Sequence, residues 1–398
     1  VEEQCRNEFK KLSEADPEYI KLGKEFTSYP IQKSNEIVGL IGAHADYAVG
    51  ESFYEGLPLP KIGDHPDLQY SMGSIVQELL EKGIATQNVD GSVGVVFPEE
   101  TKITSCVLAK RDGTHLYLTS DIAATKYRMT NGWNPTKIFI CTDMRQQLHF
   151  RQCFWIARRA WPELLKDTEL LHVPNGFIKL KEGAMSTRKG IILRLQDLID
   201  EGFGRTKTII ENKGQSLSDA DIQSIAIGAI KYSYLAVDRE KDIVFDWDKA
   251  LSFEGNSGPY IQYSYVRAKN IVEKSESSNL TPTFSTHGEG VKSPLLHSME
   301  KGSGDEVQFS EYDRACLRCL SFFDKAVLDS ATKYKPHILA SYCYELAVEF
   351  NGFYVHTPKI LEEQDENLRH FRLNLIAKVR DTLKKGFELL AIEMPGKM

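Results

Sequence analysis

The sequence predicts an α/β domain followed by an all-α bundle, and three observations carry that prediction. From about residue 104, short apolar runs rich in β-branched and aromatic residues (TSCVLAK, HLYLTS, TKIFICTD) alternate with helical stretches. Continuous apolar strands separated by helices are the pattern of a parallel sheet covered by helices. After about residue 200 the strand-like runs fade. The chain then closes with two long stripes at helical spacing: Leu339, Tyr342, Leu346, Phe350 and Phe353, then Phe371, Leu375, Val379, Leu383, Phe387 and Leu390.

The elements follow in order. Residues 1–60 mix helical charge patterns with turns, ending in YAVGESFYEGLPLPK. SIVQELLEKGIA (74–85) reads as an amphipathic helix with Ile75, Leu79 and Leu80 on one side. NVDGSVGVVF reads as a hairpin, because Asp90-Gly91 precedes an alternating apolar run. HLYLTS is expected as a strand containing Tyr117, with Asp121 opening the helix DIAATKYRMTNGW behind it; QQLHFRQCFWIARRAW is the next helix. LHVPNGFIKL and GIILRL are expected strands on either side of GAMSTRKGI (183–191). SDADIQSIAIGAIKYSYLA opens on a Ser-Asp cap and carries Ile222, Ile225, Ala226 and Ala229 at helical spacing. The Ser/Gly/Pro-rich 275–308 reads as a connection or insertion.

Bulk properties narrow the class. A chain of 398 residues exceeds one small core and implies two or three domains. No apolar run approaches bilayer length, and the charged N-terminal VEEQCRNEFKKL is no signal peptide. It reads as a helix already under way, so the chain is expected to be part of a longer one. A net charge of −7 argues against a protein that coats nucleic acid with basic surface, but not against a local RNA grip. Seven scattered cysteines suit a reducing compartment. Cys316 and Cys319 form one CxxC without a second pair or a nearby His, so buried helix residues are expected there rather than zinc ligands.

Ligands of open α/β sheets sit at the carboxyl ends of the strands. Three such ends carry polar groups: Ser120 and Asp121 after HLYLT; Asp143, Arg145, Gln146, Gln147 and His149 after IFICT; and MSTRKG after FIKL. Each has a plain structural alternative. Asp121 suits an N-cap, His149 a packed helix histidine, the glutamines a solvated first turn, and GAMSTRKGI a polar turn. Jointly they favour a polar ligand site. No P-loop, GxGxxG, nucleophile elbow or His/Cys/Asp metal spacing occurs.

YLTSDIAATKYR (117–128), TDMRQQLHFRQCF (142–154), AMSTRKG (184–190) and FDWDKALSFEGNSGPYIQYSYVRAKN (245–270) stand in an order that resembles the arginyl-tRNA synthetases, class I enzymes. YELAVEFNGFYV (344–355) and FELLAIEMPGKM (387–398) are similar to the two ends of that family's anticodon-binding bundle. SFEGNSGPYIQY is highly specific, whereas MSTRKG alone is not.

The resemblance implies the second part of a class I catalytic domain over 1–200, a helical connector over 201–256 and an α-helical anticodon-binding domain over 257–398. It implies an arginine–tRNA ligase working through arginyl-adenylate, with ATP and Mg2+ as cosubstrate, no prosthetic group and no metal site. The partners implied are tRNA(Arg), L-arginine and ATP, and the protein is expected to be a monomer of the cytoplasm, with a mitochondrial or other organellar form as the alternative. Met185, Ser186, Thr187 and Arg188 match the mobile segment that closes over ATP, with Ala184 where a lysine is usual and Lys189 just downstream expected to supply the missing cation. Tyr117, Asp121 and Gln146 match positions that hold arginine. Ser120 stands where an arginine is usual. Tyr260, Arg267, Tyr354 and Met398 match anticodon contacts, while Tyr263 is expected to be a core aromatic. An HxGH motif and an N-terminal tRNA-elbow domain have no counterpart in these residues, which motivates an alternative: a non-catalytic tRNA-binding or regulatory paralogue without the opposite half of the ATP site.

Overall fold

The computed structural model describes residues 2–59, 61, 63–180, 194–278, 309–357 and 359–398. The 184–189 segment, most of GIILRL and nearly all of the Ser/Gly/Pro-rich connection lie outside them. The chain divides into two compact units, Val1–Gly176 and Phe177–Met398.

The first unit runs α1 (Glu2–Ser13), α2 (Pro17–Leu40), α3 (Glu51–Tyr54), α4 (Met72–Glu81), β1 (Thr86–Gln87), β2 (Val93–Val95), β3 (Cys106–Ala109), α5 (Tyr117–Thr130), β4 (Lys137–Asp143), α6 (Gln147–Ala160) and β5 (Glu169–Asn175). The Asp90-Gly91 hairpin forms: β1 pairs antiparallel with β2, Gly91 takes φ +86, and the Asp90 carboxylate accepts from Ser92 N at 3.0 Å. β4 and β5 pair in parallel, Lys137 opposite Glu169 through Asp143 opposite Asn175.

Two expectations are corrected here. TSCVLAK does not join the parallel pair; β3 is the third strand of the antiparallel β1–β2–β3 sheet. HLYLTS is not a strand. Only His115 bridges to Ala109, Leu116 is extended at the cap position, and α5 begins at Tyr117. The alternating letters misled because Leu118 and Ile122, one helical turn apart, are both buried in a helix covered on nearly every side. Asp121 is therefore the fifth residue of α5, not its cap.

The core of this unit gathers Ile75 and Leu79 of α4, Leu108 of β3, Ile122 of α5 and Ile156 of α6, all fully buried. Glu78 ties these layers together. Its carboxylate accepts from Lys126 Nζ at 2.7 Å, Lys82 Nζ at 2.8 Å and Trp161 Nε1 at 2.8 Å. Burial pushes its carboxyl up, but those three hydrogen bonds outweigh burial and bring it from 4.5 down to about 2. A lowered folded-state value stabilises above the unfolded value, and the gain is lost as pH falls through the folded one. The stability difference between wild type and Glu78→Gln is expected to be on the order of 2 kcal/mol at neutral pH. It should be flat above pH 5 and shrink between pH 4.5 and 2, as read by thermal melts across pH. A difference unchanged down to pH 3 would mean that the charge contributes nothing.

The second unit runs β6 (Ile178–Leu180), α7 (Leu195–Asn212), α8 (Asp219–Leu235), β7 (Ile243–Phe245), α9 (Trp247–Ala250), α10 (Gly258–Ser277), α11 (Glu311–Leu320), α12 (Phe323–Lys333), α13 (Pro336–His356) and α14 (Glu366–Leu389). β6 and β7 pair in parallel. Ser218 caps α8 through Asp221 N at 3.1 Å, and Ile222, Ile225, Ala226 and Ala229 are buried as the spacing predicts. The stripes of α13 and α14 meet α10 in one core, in which Phe350, Phe353, Val379, Leu383 and Phe387 are fully buried. Cys316 is buried in the same core and Cys319 half-buried beside it, with burial pushing the Cys319 thiol up to about 11. Both lie on α11.

The run SFEGNSGPYIQY builds a close helix crossing. Ser257 caps α10 through Tyr260 N at 3.2 Å, and Pro259 occupies its first turn. A Cβ at Gly258 would stand 2.8 Å from the carbonyl oxygen of Gly228 on α8, so no side chain fits there. Gln262 is fully buried and donates to Ser224 O at 3.2 Å and Glu393 O at 2.9 Å.

Candidate functional site

In the first unit, α5 and α6 bring three of the singled-out residues together. Tyr117 and Asp121 are one helical turn apart on α5. His149, in the first turn of α6 and 7% exposed, reaches both. Its Nε2 lies 2.6 Å from Asp121 Oδ2, and its ring stacks on Tyr117 with centroids 4.5 Å apart at 17°. The face of Tyr117 turned away from this stack is open, the residue being 57% exposed. Asp121 Oδ1 has no hydrogen-bond partner among the described residues. An anionic carboxylate oxygen beside an exposed aromatic ring suits a planar cation.

Gln146 closes the short 3-10 turn Met144–Gln146 and is exposed at the foot of α6. That turn starts from Asp143, at the carboxyl end of β4. Asp143 accepts from Arg145 N at 2.8 Å and holds the Arg145 guanidinium at 2.9 and 3.1 Å. Thr142, one residue earlier, contacts His172 Nε2 of β5 at 2.9 Å. The polar groups after β4 thus sit at the strand's carboxyl end, as the sheet rule requires.

A cavity of about 360 Å³ opens on another side of Tyr117 and Ser120. Its walls include Glu51, Glu55, Asp112 and His115, with His115 Nδ1 2.9 Å from Glu55 Oε1. Asp121 and Gln146 do not line it. Ser120 is buried and donates back to Tyr117 O at 2.8 Å. Met185, Ser186, Thr187, Arg188 and Lys189 lie outside the described residues. Among those that are described, no group of three His, Cys, Asp or Glu is placed to hold a metal ion.

The second unit presents a different polar surface. The Arg267 guanidinium lies between two tyrosine rings, 4.6 Å from the centroid of Tyr263 and 4.5 Å from that of Tyr354. It donates to the Asn351 side-chain oxygen and, at 3.2 Å, to Tyr263 OH. Asn351 Nδ2 donates in turn to Ser264 Oγ at 2.7 Å. Tyr263 and Tyr354 are exposed, so the expectation that Tyr263 is a core aromatic is corrected: it lies four residues before Arg267 and stacks on it. Tyr260 is placed apart from this group. It packs half-buried against Tyr344, with centroids 5.8 Å apart. Met398 packs half-buried on the bundle core. Its segment is held by Asp221, whose Oδ1 accepts from Gly396 N at 2.7 Å and Lys397 N at 3.2 Å. Asn351 was not singled out in the sequence; its signal is the polar residue set among aromatics in EFNGFY.

A sheet domain with polar groups at a strand end, followed by a helical bundle with an exposed cation–aromatic stack, matches a defined class. Residues 1–247 match the tRNA synthetases class I (R), catalytic domain, and residues 261–398 match the DALR anticodon binding domain. The chain belongs to the arginyl-tRNA synthetase family. It is 33% identical over 403 residues to the arginine–tRNA ligase of Fusobacterium nucleatum and 33% identical over 402 residues to that of Clostridium perfringens, covering 100% of this chain each time. It spans 64% of the length of those two relatives. The fold is similar to the arginyl-tRNA synthetase of Plasmodium falciparum (TM-score 0.74, 24% identity, 100% of this chain and 62% of that one). It is also similar to that of Thermus thermophilus (TM-score 0.63, 24% identity, 82% and 58%). No helix among the described residues is long and apolar enough to cross a membrane.

Proposed function

We propose that this chain serves the ATP-dependent attachment of L-arginine to tRNA(Arg) through arginyl-adenylate. The observation that carries the reading is the Tyr117–Asp121–His149 cluster, which leaves one carboxylate oxygen and one aromatic face for a guanidinium. The two family matches support it. Asp121 pairs with the guanidinium, Tyr117 lies along it, and Gln146 at the foot of α6 offers an amide to the same ligand. Met185, Ser186, Thr187, Arg188 and Lys189 supply hydroxyls and cations to the ATP phosphates, whose charge Mg2+ shares. The domain division proposed is catalytic over 1–200, connecting over 201–256 and anticodon-binding over 257–398. We read the protein as a cytoplasmic monomer; all seven cysteines are free, which suits a reducing compartment. The test is charging of purified tRNA(Arg) with ATP and labelled arginine. Transfer of label to tRNA(Lys) in preference to tRNA(Arg) would overturn the reading.

The bundle carries the RNA contact. Tyr263 and Tyr354 hold the Arg267 plane at the surface, where unstacked anticodon bases can lie on rings and guanidinium; Tyr260 and Met398, which lie apart from this stack, are proposed as further contacts of the same tRNA. Arg267→Ala is expected to weaken tRNA(Arg) binding by roughly ten-fold, from a stacking loss of about 1–2 kcal/mol. The affinities for L-arginine and ATP should hold. Normal tRNA binding with an earlier melt would make the stack purely structural.

A further inference from the structure

We infer that His149 is a positioning residue for L-arginine, setting both side chains that the proposed function assigns to the guanidinium. The inference rests on that reading. His149 touches both Tyr117 and Asp121. A carboxylate only accepts, so the 2.6 Å contact requires a proton on His149 Nε2, which donates to Asp121 Oδ2. With Oδ2 taken, rotation of the carboxylate is restricted and Oδ1 stays outward. The imidazole is 93% buried, so it offers no face of its own to a ligand.

The same ring sets Tyr117. Tyr117 lies at the first position of α5, where no side-chain cap restrains the helix start. Its near-parallel stack on His149 fixes its ring plane. His149 is itself braced by Phe150, edge-on at 4.8 Å and 87°. Phe150 stacks in turn on His172 of β5 at 5.0 Å. A chain of ring contacts thus runs from the parallel strand pair through α6 to the two residues on α5. Specificity for a guanidinium over the rounder ammonium of lysine needs an aromatic plane and a carboxylate edge held at a set angle. That angle is what His149 controls.

The two functions of His149 can be separated by substitution. His149→Phe keeps a ring against Tyr117 and removes the donor to Asp121. His149→Gln restores a donor at a similar reach without the stack, and His149→Asn carries a donor too short to reach. Equilibrium dialysis of the chain with labelled L-arginine is the readout, with ATP affinity as the control. His149→Phe is expected to raise the Kd for L-arginine about ten-fold, the loss of one charge-assisted bond. His149→Gln should return it to within about three-fold of wild type, with ATP affinity unchanged in both. Where His149→Phe does not fold, the Gln–Asn contrast carries the same test. An Asp121→Asn chain that loses L-arginine while His149→Phe binds like wild type, or tighter, overturns the positioning role alone. Unchanged binding by Asp121→Asn, or no binding by wild type, overturns the arginine reading of the cluster and the positioning role with it.

Discussion

Asp313→Ala is expected to lower the stability of the second unit by about 3–5 kcal/mol. Asp313 is fully buried. Its carboxylate accepts from Arg372 Nε at 3.2 Å and Nη2 at 3.3 Å, and from Ser310 N at 2.8 Å and Ser310 Oγ at 2.6 Å. Ser310 and Asp313 form the capping box of α11, and Arg372 stands on α14. One carboxylate therefore starts one helix and pins it to another. Its removal would leave Arg372, 11% exposed, with Glu363 at 2.7 Å as the one carboxylate among the described residues to answer its charge. A half-paired buried cation costs far more than the intact pair gains, because desolvation is no longer offset. The melting midpoint of this unit should fall by roughly 10 °C. Replacing both partners, as in Asp313→Leu with Arg372→Met, should recover most of the loss. A double variant no more stable than Asp313→Ala would show that the cap, not the ion pair, carries the energy.

Different parts of this protein were legible in the sequence for different reasons. The bundle helices declared themselves because Leu346, Phe350 and Phe353, or Val379, Leu383 and Phe387, repeat with the helical period and face one core. The Asp90-Gly91 hairpin was legible because its turn needs a left-handed glycine. HLYLTS was misread because a helix buried on most sides loses the polar face that marks its period. TSCVLAK has the letters of a buried strand, and nothing local says whether its partners run parallel or antiparallel. The pairing of His149 with Asp121 spans 28 residues, so no periodicity reports it; only the fold of α6 against α5 does. Tyr263 showed the reverse failure. Its aromatic letter suggested core, while its spacing to Arg267 already placed a cation over its ring.

Asp121→Asn is expected to raise the Kd for L-arginine roughly ten- to a hundred-fold, corresponding to about 1.5–3 kcal/mol for a hydrogen bond between charged partners. The substitution is chosen for what it preserves. An asparagine oxygen can still accept from His149 Nε2, so the contact between α5 and α6 survives and the melting midpoint should move little. What changes is the outward edge. In place of Oδ1, which has no hydrogen-bond partner among the described residues, it presents an amide nitrogen whose hydrogens face the donors of the guanidinium, so attraction becomes repulsion. A neutral analogue of arginine separates the two effects. Citrulline, with a ureido oxygen in place of one guanidinium nitrogen, should gain relative to arginine in the Asn variant, because its oxygen can accept from the new amide. Asp121 is not the helix cap that its position before IAATKYR suggested, since α5 starts four residues earlier at Tyr117. A capping role therefore cannot account for a loss of binding. A variant that binds arginine normally but melts earlier would leave Asp121 as a clamp between α5 and α6, and would move the guanidinium site elsewhere in the first unit.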